Sequence, residues 1–193
     1  ATAAGIEIAP DGDDAGIAVD AAGTGHIAFK SSVPTGPSTY NYDYSYCRLP
    51  RGATACAPRT RLATPGNESP FGRARVLVDD TRVIVVGNIC CGATEGVWSW
   101  TSTNGGTSFA APKKLSTDMW VADAILGPGT NSVSVVDYVS TGGIQWVTGS
   151  LVPGSPVANP IQLGADVDSG SDVDSYADLG LLNETTPYMV MHS

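Results

Sequence analysis

Two bunches of carboxylates frame the sequence: Asp11, Asp13, Asp14 and Asp20 near its start, and Asp166, Asp168, Asp172, Asp174 and Asp178 near its end. In the run Asp166-Val167-Asp168-Ser169-Gly170-Ser171-Asp172-Val173-Asp174, alternate carboxylates with a glycine at the fifth place suit a hard, oxygen-seeking cation. Asp166, Asp168 and Asp172 are the candidate ligands and Ca²⁺ the candidate ion. The spacing departs from an EF-hand, which needs a Glu at the twelfth place, so a plain acidic loop is the alternative, and no cofactor is required. The arginines form the opposite cluster: Arg48, Arg51, Arg59, Arg61, Arg73, Arg75 and Arg82 all lie in one middle stretch. They suffice for a local anion site but are too sparse for a nucleic-acid groove. A formal charge of -9 repels phosphate backbones and argues against nucleic acid as a partner. Four cysteines, Cys47, Cys56, Cys90 and Cys91, lie far from both histidines, which disfavours a thiolate metal centre.

The elements that carry these residues are strands. Gly 23 and Pro 13, with Val, Thr and Ser abundant and Lys and Glu scarce, describe many short strands and tight turns. With 42% apolar residues, the 193-residue chain is long enough to bury a real core. No apolar run approaches the roughly 20 residues of a membrane span, so none is expected. The opening Ala1-Thr2-Ala3-Ala4-Gly5 reads as a mature end left by signal-peptide removal, and the cysteines fit an oxidising setting. A secreted, extracellular protein is the expectation.

The chain also repeats itself. Residues 46–58 align with residues 100–112, an ungapped offset of 54 that places Tyr46 on Trp100 and Pro58 on Pro112. A weaker third copy runs from Gly143 to Leu163. Each copy is preceded by two apolar strands: Gly16–Asp20 with His26–Phe29, Ala74–Val78 with Val83–Val86, and Ala122–Leu126 with Val133–Val136. A fourth pair begins at Ala177 and ends at Met191. The third strand of each module alternates aromatic residues: Tyr42, Tyr44 and Tyr46, then Trp98 and Trp100, then Ile144 and Trp146. Recurring four-strand modules predict an all-β propeller with antiparallel blades near 14–63, 72–115, 120–163 and 174–193, the last incomplete, within one segment spanning 1–193. A two-sheet sandwich is the competing arrangement. About three and a half blades do not close a ring, so a second chain or a missing C-terminal part is expected to complete it. Gly5-Ile6-Glu7-Ile8 reads as an outer strand of a preceding blade.

Ser102-Thr103-Asn104-Gly105-Gly106-Thr107-Ser108-Phe109 resembles the Asp-box (BNR repeat), the S-x-D-x-G-x-x-W/F hairpin of sialidase-like β-propellers. Ser102 and Asn104 are suited to bond turn amides, Gly106 permits positive φ, and Phe109 plugs the gap between strands. Asn104 stands in for the usual Asp and Phe109 for the usual Trp. The corresponding turn of the first module lacks these residues and carries Cys47 and Cys56, where a disulfide would hold the hairpin. Cys90 and Cys91 then remain for a vicinal pair, with reduced thiols or cross-pairing as the alternatives.

The resemblance puts the Asp-box on the structural rim and ligands at the opposite face, on the loops leading into each inner strand. Those loops supply Glu68, Asp118, Trp120, Asp174 and Tyr176 as ligand-binding candidates. It further implies an acid, Asp13 or Asp14, and a carboxylate-clamping arginine, Arg73 or Arg75. The Arg triad of sialidases cannot be completed from this sequence, and no Arg-Ile-Pro occurs near its start. The main expectation is therefore a secreted propeller that binds carbohydrate or another extracellular ligand without catalysis. A sialidase-like glycoside hydrolase working through an acid-rich funnel is the alternative.

Overall fold

The computed structural model describes residues 8–9, 11–36, 40–56, 58–117, 121–127, 131–139, 143–164, 176–183 and 186–192. They form three four-stranded antiparallel sheets and one hairpin, each built from a contiguous stretch of chain. The first sheet holds β1 (Gly12–Val19), β2 (Gly25–Pro34), β3 (Tyr40–Leu49) and β4 (Thr60–Arg61). The second holds β5 (Ser69–Asp79), β6 (Arg82–Cys90), β7 (Gly96–Ser102) and β8 (Lys113–Ser116). The third holds β9 (Val121–Leu126), β10 (Ser132–Val139), β11 (Gly143–Ser150) and β12 (Ile161–Gly164), and the hairpin pairs β13 (Tyr176–Asn183) with β14 (Thr186–His192). In every sheet, spatial order follows chain order. The first strands lie side by side, β1 against β5, β5 against β9 and β9 against β13. The result is an incomplete propeller of about three and a half blades, with these strands innermost.

Period-two patterning explains the packing. On β6, Val83 and Val85 face the first blade while Ile84 and Val86 face the third, and all four are fully buried. The interface of blades one and two gathers Ala28, Tyr44, Tyr46 and Leu62 against Ala74, Val76, Val85 and Trp100. That of blades two and three gathers Ile84, Val86, Val97 and Leu115 against Ala124, Val133, Val135 and Val147. Third-strand aromatics are thus largely inter-blade core: Tyr44 meets Trp100 edge to face at 5.5 Å, and the Trp100 indole N–H donates to Ala63 O at 2.8 Å. Tyr42 departs from this and is 42% exposed. The Lys30 ammonium lies 5.8 Å from the centre of its ring.

The other face of blade one carries a small cluster, Ile27, Phe29 and Cys47, with Ala9, Leu49 and Cys56 beside it. On β1, Ile17 and Val19 are 63% and 64% exposed. Among the described residues no further sheet packs on this apolar flank, unlike the equivalent face of blade two. Gly5 to Glu7 lie outside the described residues.

The turn between β7 and β8 has the bonding that its residue types dictate. Ser102 Oγ accepts the amides of Asn104 (3.3 Å) and Gly106 (2.9 Å), and Asn104 Oδ1 accepts the Ser108 amide at 3.0 Å. Gly105 and Gly106 take positive φ, 64° and 79°. A Cβ on Gly106 would fall 1.8 Å from the Tyr46 hydroxyl, so that position requires glycine twice over. Phe109 packs edge to face on Tyr46 at 4.8 Å, tying the turn to blade one. In the first blade, a disulfide joins Cys47 to Cys56.

Candidate functional site

Chemically capable side chains converge where the innermost strands begin. There β1 is irregular between Asp13 and Gly16, β5 between Phe71 and Arg75, and β9 opposite Val136 and Asp137. Bulges of this kind turn side chains away from the regular alternation and are common beside functional sites. Asp14 sits in the β1 irregularity at φ 50°. Lys30, from the facing end of β2, reaches Asp14 at 2.7 Å and Asp13 at 3.2 Å. Burial works against the Lys30 charge, but the hydrogen bonds with Asp14 and Asp13 prevail and raise its pKa. The same Lys30 contact holds the Asp13 carboxyl below the usual carboxylate range.

One blade further round, Arg75 on β5 pairs with Asp123 on β9, Nε to Oδ1 at 3.1 Å, both side chains about four-fifths buried. Between the two pairs stands Tyr44. Its hydroxyl lies 3.0 Å from Phe71 O and 3.3 Å from Gly72 O as donor and accepts the Asn88 amide at 3.2 Å. Burial pushes its pKa well above the ordinary phenol value, with Asp14 adding to the rise and the Asn88 amide and Arg75 opposing it. The β1 and β5 backbones close up beside this group, since a Cβ on Gly16 would fall 2.2 Å from Ala74 O. Asp13, Asp14 and Lys30 on blade one, with Arg75 and Asp123 bridging blades two and three, therefore form two ion pairs whose charges are both felt by Tyr44.

Its margins are braced. Glu68 accepts the Thr94 hydroxyl at 2.6 Å and the Thr94 amide at 3.1 Å, which lowers its pKa and fastens the turn that follows Cys90 and Cys91. Cys90 and Cys91 form a vicinal disulfide, with Cys91 at φ 76°. Arg59 grips Asp11 with both terminal nitrogens at 2.9 Å, and the Asp11 pKa falls accordingly. The buried Asp43 is met by Arg61 at 2.6 Å. A cavity of about 400 Å³ opens beside Asp13 and Asp14 toward the uncovered flank of blade one, with Phe29 and Ile27 on its apolar side.

The sequence-derived candidates distribute as follows. Asp13 and Asp14 come together on Lys30. Arg73 is exposed in the irregular stretch of β5, whereas Arg75 is the arginine turned onto a neighbouring blade. Glu68 faces its own loop clamp. Asp118, Trp120 and Asp174, and the proposed cation ligands Asp166, Asp168 and Asp172, lie outside the described residues, as does the side chain of Tyr176. Among the described residues no group of three metal-ligating side chains occurs. Sequence reasoning missed Lys30, Tyr44 and Asp123. The last was within reach, because Arg75 and Asp123 occupy the same place in successive copies of the repeat.

The carboxylates whose pKa is displaced, Asp11, Asp13, Asp20 and Glu68, all move downward. Ionised carboxylates of this sort accept hydroxyl hydrogen bonds or act as bases; a general acid needs the opposite shift.

No family model matches the chain, and no curated protein matches it in sequence. Solved structures do resemble it. A protein of unknown function from Dyadobacter fermentans superposes with a TM-score of 0.60 at 15% identity, covering 78% of this chain and 41% of its own. An α-L-arabinofuranosidase from Podospora anserina, solved with cellotriose, gives 0.52 at 14%, covering 80% and 51%. The catalytic domain of a GH62 α-L-arabinofuranosidase from Coprinopsis cinerea gives 0.53 at 11%, covering 92% and 62%. The chain spans roughly two-fifths to three-fifths of the length of these structures. What it shares with them is the fold: a partial, all-β propeller of the architecture found in carbohydrate-active enzymes, with the sialidase-like resemblance confined to the octet Ser102–Phe109.

Proposed function

We propose that this chain forms the larger arc of a glycoside-hydrolase-type propeller and uses the inner-strand cluster to hold a glycan. The observation that carries the reading is the placement of two ion pairs, Asp14–Lys30 and Arg75–Asp123, beside the irregular stretches of three innermost strands, in a fold shared with α-L-arabinofuranosidases. Such a constellation offers fixed acceptors and donors to sugar hydroxyls, and an ionised carboxylate beside the anomeric carbon favours an oxocarbenium-like transition state. In this reading the proton-donating acid comes from the residues that complete the ring.

Hydrolysis is tested with an aryl α-L-arabinofuranoside and with arabinoxylan, using the full natural protein or the chain together with its ring-completing partner. Turnover that falls about a hundredfold or more in Asp123→Asn, with the thermal midpoint nearly retained, supports the reading. Absence of turnover on furanosides, pyranosides and sialosides alike sinks it.

A non-catalytic, carbohydrate-binding propeller is the second reading. It is favoured by the downward displacement of Asp11, Asp13, Asp20 and Glu68, none of which is primed as a proton donor. Saturable glycan binding without turnover would select it.

A further inference from the structure

At the far end of the blades from the charged cluster, a cleft of about 540 Å³ separates blade two from blade three. Its lining comes from Arg82, from Thr101, Thr103 and residues 108–110 after β7, from Asn131, and from residues 151–153 after β11. It is braced before any ligand arrives: the Gly105 amide donates to Thr81 O at 2.7 Å, and the Leu151 amide to Asn131 O at 2.7 Å. Arg82 spans the gap, bonding Asn131 Oδ1 at 3.3 Å and Asp79 Oδ2 at 2.6 Å.

The lining is two-sided. Thr101, Thr103, Ser108 and Asn131 present polar groups, while Phe109, Leu151 and Val152 present apolar ones. Ser108 Oγ accepts from Asn104 Nδ2 at 2.9 Å, so its own hydrogen is left to donate. Asn131 uses its carbonyl on Arg82 and keeps its amide hydrogens. Val152 is 45% exposed and Phe109 is fixed edge-on by Tyr46, so the apolar wall is both accessible and rigid. Among the described lining residues Arg82 alone is charged, and Asp79 balances it. A pyranose has matching faces, with axial C–H groups on one side and hydroxyls around the edge. The volume lies within the range of small-ligand sites, and a braced wall lowers the entropy lost on binding.

We infer that this inter-blade cleft is a second binding site, for one or two units of a neutral carbohydrate. It does not rest on the hydrolase reading, since it uses none of the residues in the charged cluster and lies at the opposite end of the strands.

The test is an NMR titration of the whole chain with xylose, galactose and lactose, and with glucuronate as the charged control. Saturable amide shifts at Thr103, Ser108, Asn131 and Val152 are expected for at least one neutral sugar, with glucuronate weaker. Ala110→Trp fills the mouth of the cleft from an exposed position and should weaken binding about tenfold or more. Thr103→Val, which keeps the shape and deletes a hydroxyl, should weaken it about fivefold and serves if the larger side chain prevents folding. The proposal is overturned if no neutral sugar gives saturable shifts there. It is equally overturned if glucuronate binds better than the neutral sugars, or if the affinity survives whichever of these variants folds.

Discussion

Tyr44 shows how much one side chain does here. Its ring fills the space above Gly87, where an added Cβ would lie 2.5 Å from the ring, and its hydroxyl joins the backbone of β5 to Asn88. Because Tyr44 is fully buried it has nowhere to move, so Gly87→Ala should destabilise the fold by about 1–3 kcal/mol, read from a urea transition. Charged residues give a second prediction. Asp11, Asp13, Asp20 and Glu68 have folded pKa values below the ordinary values of their side chains, about 3.9 for Asp and about 4.3 for Glu. Their stabilisation is present above those values and is lost as pH falls through the lowered folded values. Lys30 is raised, so its contribution is present below about pH 10 and is lost as pH climbs through its folded value. The thermal midpoint should therefore fall below about pH 4, and less steeply in Lys30→Met, as differential scanning calorimetry would record. At this scale the octet Ser102–Phe109 was readable because the side-chain bonds of Ser102 and Asn104 to its turn amides are local. Lys30 was not, since its link to Asp13 and Asp14 depends on the register Asp13↔Lys30 and on the irregularity that follows it.

Among the elements, the β3–β4 connection and the turn after β6 are both cross-linked, with different consequences. Cys47 and Cys56 lie nine residues apart and close a real loop. Replacing both with serine should lower stability by roughly 2–3 kcal/mol in guanidinium unfolding. Cys90 and Cys91 are adjacent and constrain little of the unfolded chain. Their effect is on the local turn, where Cys91 holds φ 76° and Glu68 binds Thr94. Cys90→Ala with Cys91→Gly should thus leave the global transition within about 1 kcal/mol, while hydrogen exchange at the Thr94 amide quickens. Strand identity was legible from period-two patterning, most plainly on β6. The irregular starts of β1, β5 and β9 were not, because a bulge leaves no signature in an apolar alternation.

For the whole molecule, Ile17 and Val19 on the uncovered flank of blade one make association the natural response to isolation. The 193-residue chain alone should self-associate or bind a hydrophobic dye, and Ile17→Lys with Val19→Lys should abolish both, as sedimentation and dye fluorescence would show. The period of the repeats is what made the propeller legible before any coordinates: each module must bury its broad faces against neighbours of the same kind. What fills the remainder of the ring was not legible, because a repeat dictates the contact between blades and is silent on their number.

Every sheet here is one uninterrupted stretch of chain, with no strand lent to its neighbour. Duplicating or deleting such a stretch leaves all remaining hydrogen-bond ladders whole and alters only how many wedges share the circle. Lineages carrying this architecture are thereby free to change the number of wedges by unequal recombination, without having to invent a new strand.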